Sequence, residues 1–102
     1  MKLVGNVGES LAFDVAVTDE SGSDVDLAGG YSAEFRVNGT FSKTFSSLSG
    51  ASISVELTPA ESATIPSGFH SFIVDLSEPD GSSWAVSRGE LHMLPAIAGD
   101  GI

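Results

Sequence analysis

Residues 11–18 are Leu-Ala-Phe-Asp-Val-Ala-Val-Thr, a segment in which each odd position holds a large apolar side chain. Successive side chains of a β-strand point to opposite faces of its sheet, so this period of two places the odd positions in a core and Asp14 and Thr18 in water. Residues 31–38 and 52–57 repeat the alternation. A helix would require apolar positions three and four residues apart, which these segments lack. The three segments therefore predict an all-β protein.

Turn signals separate the alternating segments and set the number of strands. Asn38-Gly39 is the strongest short hairpin signal, and Pro79-Asp80-Gly81 marks a second turn. The resulting strands are predicted over residues 2–7, 11–18, 31–37, 40–45, 52–57, 69–76 and 83–93. Seven short strands with regularly spaced turns are typical of an immunoglobulin-like antiparallel β-sandwich.

The alternation also predicts which side chains form the core. The expected core residues are Phe13, Val15, Phe35, Val55, Phe72 and Val74, with Leu57 and Leu76 beside them. In the strand over residues 40–45, Lys43 shares a face with Phe41 and Phe45. A lysine at such a position is a common protection of an edge strand against pairing with another chain.

One segment predicts a helical turn. Thr58, Pro59 and Glu61 fit the N-cap, first and third positions of a capping box, and Pro66 follows shortly after. We therefore expect a single turn over residues 59–64 that crosses from one sheet to the other. A chain of 102 residues has room for one domain, which we place at residues 1–94, followed by a short tail at residues 95–102.

Composition excludes several function classes. The net charge is −10, with 14 acidic residues against Lys2, Arg36, Lys43 and Arg88. Proteins that bind nucleic acids or anionic membranes use clusters of basic residues, and these four basic residues are scattered along the sequence. Neither nucleic acid nor an anionic membrane is therefore an expected partner. The absence of cysteine excludes disulfides and thiolate metal sites. Residues 1–6 lack the apolar segment of a signal peptide, so none is expected.

The sequence contains no catalytic constellation that we recognise. His70 and His92 both lie in predicted strands, without a nearby nucleophile motif. The acidic loop over residues 19–26 offers oxygen ligands that calcium prefers, but its spacing does not match an EF-hand. We therefore expect no enzyme activity, no cofactor and no metal site.

Three stretches carry a resemblance to a known family. They are VTDESG (residues 17–22) with VDL (25–27), ISVELTPAE (53–61) with IPSGF (65–69), and residues 74–91, which contain VDL, PDG and RGEL. In these stretches, within about residues 9–94, the chain resembles the immunoglobulin-like N-terminal domain of phage baseplate upper proteins and related tailed-phage virion proteins.

The resemblance implies a non-enzymatic virion structural protein that acts by protein–protein contact. A capsid decoration protein or a small fibre-anchoring or neck–tail component is the expected role. Its partners would be other virion proteins, with further copies of the chain on the particle, and it would be made in the host cytoplasm. The alternative is a carbohydrate- or cell-surface-binding β-sandwich, in which Trp84 would supply the aromatic platform.

The expected contact residues lie at the chain ends and at Trp84. The segment over residues 94–98 is apolar, and Pro95 prevents it from continuing a central strand. The N-terminal segment could instead add a strand to the sheet edge of a partner. The candidate contact residues are Leu94, Pro95, Ile97, Met1, Leu3 and Trp84.

Overall fold

The computed structural model describes residues 2–46 and 48–95, which form seven strands and one short helix. The elements are β1 (Lys2–Asn6), β2 (Leu11–Ala16), β3 (Ser32–Val37), β4 (Phe41–Phe45), β5 (Ser52–Leu57), α1 (Pro59–Ser62), β6 (Gly68–Ser77) and β7 (Ser83–Leu94). All seven predicted strands are confirmed, and each end lies within two residues of its predicted position. Seven strands and one four-residue helix confirm the predicted all-β class.

The strands form two sheets, with the order β1-β7-β6-β3-β4 in one and β2-β5 in the other. The pairing of β2 with β5, and of β3, β6 and β7 in the opposite sheet, matches the immunoglobulin arrangement of strands B and E against strands C, F and G. The predicted β-sandwich is therefore confirmed. One ladder departs from the antiparallel prediction, because β1 runs parallel to β7. Alternation fixes which face a side chain occupies but carries no information on strand direction.

The core lies between the two sheets and is centred on Phe35. The Phe35 ring lies 5.6 Å from the ring of Phe13 in β2 and 5.7 Å from the ring of Phe72 in β6. Seven of the eight predicted core residues are buried, and Phe13 is half-buried against them. The Phe13 ring packs against the opposite sheet, with its centre 6.1 Å from that of Phe72.

The edge strand β4 is tied to the opposite sheet by Lys43. The Lys43 Nζ donates to the Glu61 Oε1 at 2.8 Å and to the Glu56 carbonyl oxygen at 2.9 Å, and it lies 5.3 Å from the centre of the Phe45 ring. The lysine therefore points inward across the open side of the sandwich. The structure confirms that Lys43 shares the inner face of an edge strand with Phe41 and Phe45, and an inward charge at such a position discourages pairing with another chain.

The helical turn α1 carries the predicted capping box. The Glu61 N–H donates to the Thr58 Oγ1 at 3.1 Å, and the Thr58 N–H donates to the Glu61 Oε1 at 2.8 Å. Hydrogen bonds from the Lys43 side chain and from the Thr58 backbone lower the pKa of Glu61. The turn connects β5 in one sheet with β6 in the other. It is the one helix in the described part of the chain, and it is too short to span a membrane.

Replacing Thr58 with alanine removes the side-chain acceptor of the capping box. We expect the free energy of unfolding to fall by about 1 kcal/mol, the usual effect of losing an N-cap side chain. Urea denaturation of the wild type and the variant measures this difference. The Glu61→Gln variant keeps an acceptor for the Thr58 N–H but loses the ion pair with Lys43, so it measures the ion pair separately from the cap. A Thr58→Ala variant as stable as the wild type would contradict the capping role.

Candidate functional site

The outer face of the five-stranded sheet is broader than the outer face of the two-stranded sheet. Side chains of the five-stranded sheet that face the core are buried or half-buried, so the residues that point outward are their neighbours in sequence, the even-numbered ones of β1, β3, β4 and the second half of β7 and the odd-numbered ones of β6. We call this surface the outer face. It holds three basic residues and three acidic ones. They are Lys2, Arg36, Arg88, Glu34, Asp75 and Glu90.

The charge of the molecule is therefore divided unevenly. The outer face has a formal charge of zero, although the whole chain has a net charge of −10. The remaining part of the chain holds eleven acidic residues and one basic residue, Lys43. On the outside of the two-stranded sheet the charged residues are Asp14 and Glu56, both acidic. An acidic partner is consequently repelled less by the outer face than by the rest of the surface. A basic partner is attracted more by the acidic surfaces elsewhere than by the outer face.

An apolar patch lies at one end of the outer face. Val4 is 58% exposed and Phe69 is 65% exposed, and His92 lies opposite both of them in the sheet register. The rings of Phe69 and His92 are stacked, with centres 4.0 Å apart and planes inclined by 15°. We call these three residues the β1–β7–β6 patch. Exposed aromatic and aliphatic side chains that adjoin one another are typical of interaction surfaces.

Two arginines flank an isoleucine in the middle of the outer face. Ile73 lies opposite Arg36 on β3 and opposite Arg88 on β7, so three neighbouring strands contribute one side chain each. The Arg36 guanidinium pairs with the carboxylates of Asp75 and Glu34. A cleft of about 810 Å³ extends from these side chains to the Asn38-Gly39 turn. The arginine stems can cover Ile73 while their guanidinium groups remain at the surface.

The Asn38-Gly39 turn lies at the end of the sheet where β3 finishes and β4 begins. Gly39 has a φ of 74°, a left-handed conformation that glycine adopts without steric cost, and the Thr40 N–H donates to the Val37 carbonyl oxygen at 3.1 Å. The turn joins β3 to β4, as the Asn-Gly signal predicted.

A second cleft, of about 510 Å³, lies at the opposite end of the sandwich. Its walls come from the loop after β2, the start of β3, and the hairpin between β6 and β7. Trp84 is 38% exposed in this cleft. The lining residues are Thr18, Asp19, Glu20, Val25, Tyr31, Glu78 and Trp84. We call it the Trp84 cleft.

The predicted contact residues do not form one site. Leu3 is half-buried and packs against the core, and Leu94 is half-buried opposite Asn6. Pro95 is exposed directly after β7, whereas Trp84 lies near the other end of that twelve-residue strand. Met1 and Ile97 lie outside the described residues. The predicted addition of the N-terminal segment to a partner sheet would have to use the outer edge of β1, because the other edge already pairs with β7.

The acidic loop has an internal role in the structure. The Asp19 Oδ1 accepts from the Ser21 hydroxyl at 2.7 Å and from the Ser21 and Ser23 N–H groups at 2.9 and 3.0 Å. These hydrogen bonds, led by that from the Ser21 hydroxyl, lower the pKa of Asp19. Within residues 2–46 and 48–95, no three histidine, cysteine or acidic side chains are grouped as metal ligands.

The two histidines are in different surroundings. A ring nitrogen of His70 lies 2.7 Å from the Pro66 carbonyl oxygen, and this hydrogen bond ties the start of β6 to the connection that follows α1. His92 is stacked on Phe69. The sequence already contained the signal for the exposed Phe69, because it has the opposite parity to Phe72, Val74 and Leu76 in the same strand.

Comparison of the chain with protein-family models, with curated proteins and with solved structures gave no match in any of the three.

Proposed function

We propose that this chain is a non-enzymatic contact module of a tailed-phage virion, a capsid decoration protein or a small fibre-anchoring or neck–tail component. We further propose that it attaches to the particle through the outer face of its five-stranded sheet. The observation that carries the choice of surface is the uneven charge distribution, in which three of the four basic residues lie on the outer face. The phage role rests on the sequence resemblance.

The outer face has the composition of a protein interface. Interface cores are depleted in uncompensated charge and enriched in aromatic and arginine side chains. Phe69, stacked on His92, and Val4 supply the apolar part, and Arg36 and Arg88 supply the arginines. Burying Phe69 and Val4 would remove from water the two most exposed large apolar side chains among the described residues.

The strongly acidic surfaces elsewhere favour one orientation on a particle. Neighbouring copies repel each other through their acidic sides, and screening at physiological salt leaves this repulsion effective within about 8 Å. The formally neutral outer face is then the surface from which approach costs the least electrostatic free energy. The partner that fits it is a virion protein surface with an apolar pocket and little net charge.

A charge placed in the β1–β7–β6 patch tests this proposal. We expect Phe69→Glu to reduce the number of copies bound per particle at least tenfold, because the variant would bury an unpaired carboxylate in the interface. Ala12→Glu, on the outside of the two-stranded sheet, is the matched control and should leave occupancy unchanged. The measurement is quantitative co-purification with assembled particles. Melting curves of both variants verify that each remains folded.

Results of this experiment and of two related ones would contradict the proposal at separate points. Failure of the wild type to co-purify with particles would exclude the virion role. Normal occupancy of Phe69→Glu would exclude the outer face, and loss of occupancy after deletion of residues 95–102 would then assign the contact to the predicted tail. Binding on a glycan array that is lost in Trp84→Ala would support the carbohydrate-binding alternative instead.

A further inference from the structure

The Trp84 cleft has two aromatic walls. Trp84 lies opposite Leu76 in the register of β6 and β7, a position whose side faces the core, yet 38% of its surface is exposed. It therefore lies beyond the end of the packed core. Tyr31 and Val25 are half-buried and pack against that core. Because Trp84 belongs to β7 and Tyr31 directly precedes β3, the walls are held by the sheet itself.

The remaining walls of the cleft are acidic. Asp19, Glu20 and Glu78 line it, and none of its seven lining residues is basic. Hydrogen bonds from the Ser21 hydroxyl and the Ser23 N–H lower the pKa of Asp19, which favours its charged form. Glu78 is half-buried, and its backbone N–H donates to the Ser82 carbonyl oxygen at 2.7 Å within the turn. Glu78 and Trp84 belong to the same hairpin, and both line the cleft.

We propose that the Trp84 cleft binds a lysine or arginine side chain of a partner protein. An ammonium or guanidinium group is attracted to the face of an aromatic ring, most strongly to that of tryptophan. The neighbouring carboxylates add charge-assisted hydrogen bonds to the same cation. A volume of about 510 Å³ accommodates such a side chain together with part of its backbone. A neutral sugar could also stack on the ring and donate its hydroxyl groups to the carboxylates, but it would carry no charge for the three acidic side chains to attract.

This inference goes beyond the proposed function, because the cleft lies away from the β1–β7–β6 patch. The net charge of −10 strengthens it, since the field of the whole molecule raises the local concentration of cations. A basic partner would thus be attracted over a distance and then held by one side chain. Raising the salt concentration should weaken this attraction.

The intrinsic fluorescence of the chain gives a direct test, because Trp84 is its only tryptophan. The probe is N-acetyl-lysine methylamide, titrated against the full chain. We expect a saturable change in Trp84 emission that weakens as salt is added. The same compound with its side-chain amine acetylated is the matched probe without the charge, and a neutral maltose oligomer is the third. No saturable change with the lysine compound, or an equal response to its acetylated form, would overturn the proposal. A response to the oligosaccharide alone would assign the cleft to glycans.

Two variants locate the binding in the cleft. Glu78→Gln should weaken binding of the lysine compound about five-fold or more, whereas Glu56→Gln, the same change on the two-stranded sheet, should leave it unchanged. For Trp84→Leu, followed by NMR chemical shifts, we expect binding about 5- to 30-fold weaker. Equal affinity of the wild type and Glu78→Gln would overturn the proposed role of the carboxylates. Melting curves confirm that each variant is folded before it is titrated.

Discussion

Replacing Phe35 with alanine is expected to lower the free energy of unfolding by about 3–5 kcal/mol, the usual range for a buried phenylalanine. The side chain is fully buried, and its ring contacts aromatic rings in both sheets, those of Phe13 in β2 and Phe72 in β6. Phe41 on the edge strand β4 lies 6.4 Å from it. Alanine would therefore leave a cavity at the point where the two sheets meet, and the surrounding strands can close it only in part.

Urea denaturation of the purified variants measures this effect. Phe69→Ala is the matched control, because it removes the same atoms from a side chain that is 65% exposed, and we expect it to change stability by about 0.5 kcal/mol or less. Small domains have only about 5–15 kcal/mol of total stability, so Phe35→Ala could leave little folded protein. Phe35→Leu removes fewer atoms and should give an intermediate loss. If Phe35→Ala is as stable as Phe69→Ala, the assignment of the inner face of β3 is wrong.

The sequence predicted the strands and their faces well, because each is encoded locally. Alternation along β2, β3 and β5 reflects a core on one side and water on the other, and this periodicity survives whatever the neighbouring strands are. The Asn38-Gly39 turn and the Thr58 capping box depend on side chains within three residues of each other. Such features need no knowledge of the tertiary structure.

Features that depend on contacts between distant residues were not predictable in the same way. The parallel direction of β1 is set by its pairing with β7, which is about 88 residues away, and alternation gives no direction. The ion pair between Lys43 and Glu61 joins β4 to α1 across the side of the sandwich. Neither residue type nor spacing indicates such a partner.

In the candidate sites, too, single residues were predictable from the sequence and their grouping was not. The sequence singled out Trp84, but the acidic and aromatic residues around it come from three separate segments that only the fold brings together. The outer face likewise combines Lys2, Arg36 and Arg88, which are scattered in the sequence and lie on the same face of one sheet. Scattered bases in a sequence therefore do not exclude a local charge pattern on a surface.

The connection between β2 and β3 gives the second large predicted effect. It spans residues 17–31 without a regular strand, apart from a single bridge between Thr18 and Asp24. Leu27 within it is fully buried, and its N–H donates to the Gly50 carbonyl oxygen at 2.8 Å. The Leu27 side chain therefore anchors a long connection in the core, and its backbone N–H joins the same connection to the turn before β5.

Replacing Leu27 with alanine should consequently cost about 2–5 kcal/mol, as much as a core residue in a strand. Leu94→Ala is the matched control, because it makes the same deletion at a half-buried position at the end of β7, and we expect a smaller loss. Urea denaturation gives both values. If the connection folds together with the sheets, Leu27→Ala lowers the urea concentration at the midpoint of unfolding. The slope of the free energy of unfolding against urea concentration then stays unchanged. A loss below that of Leu94→Ala would show instead that the connection is not part of the cooperative core. In that case the wall of the Trp84 cleft formed by residues 18–25 would lack the anchor that the inference about a bound cation requires.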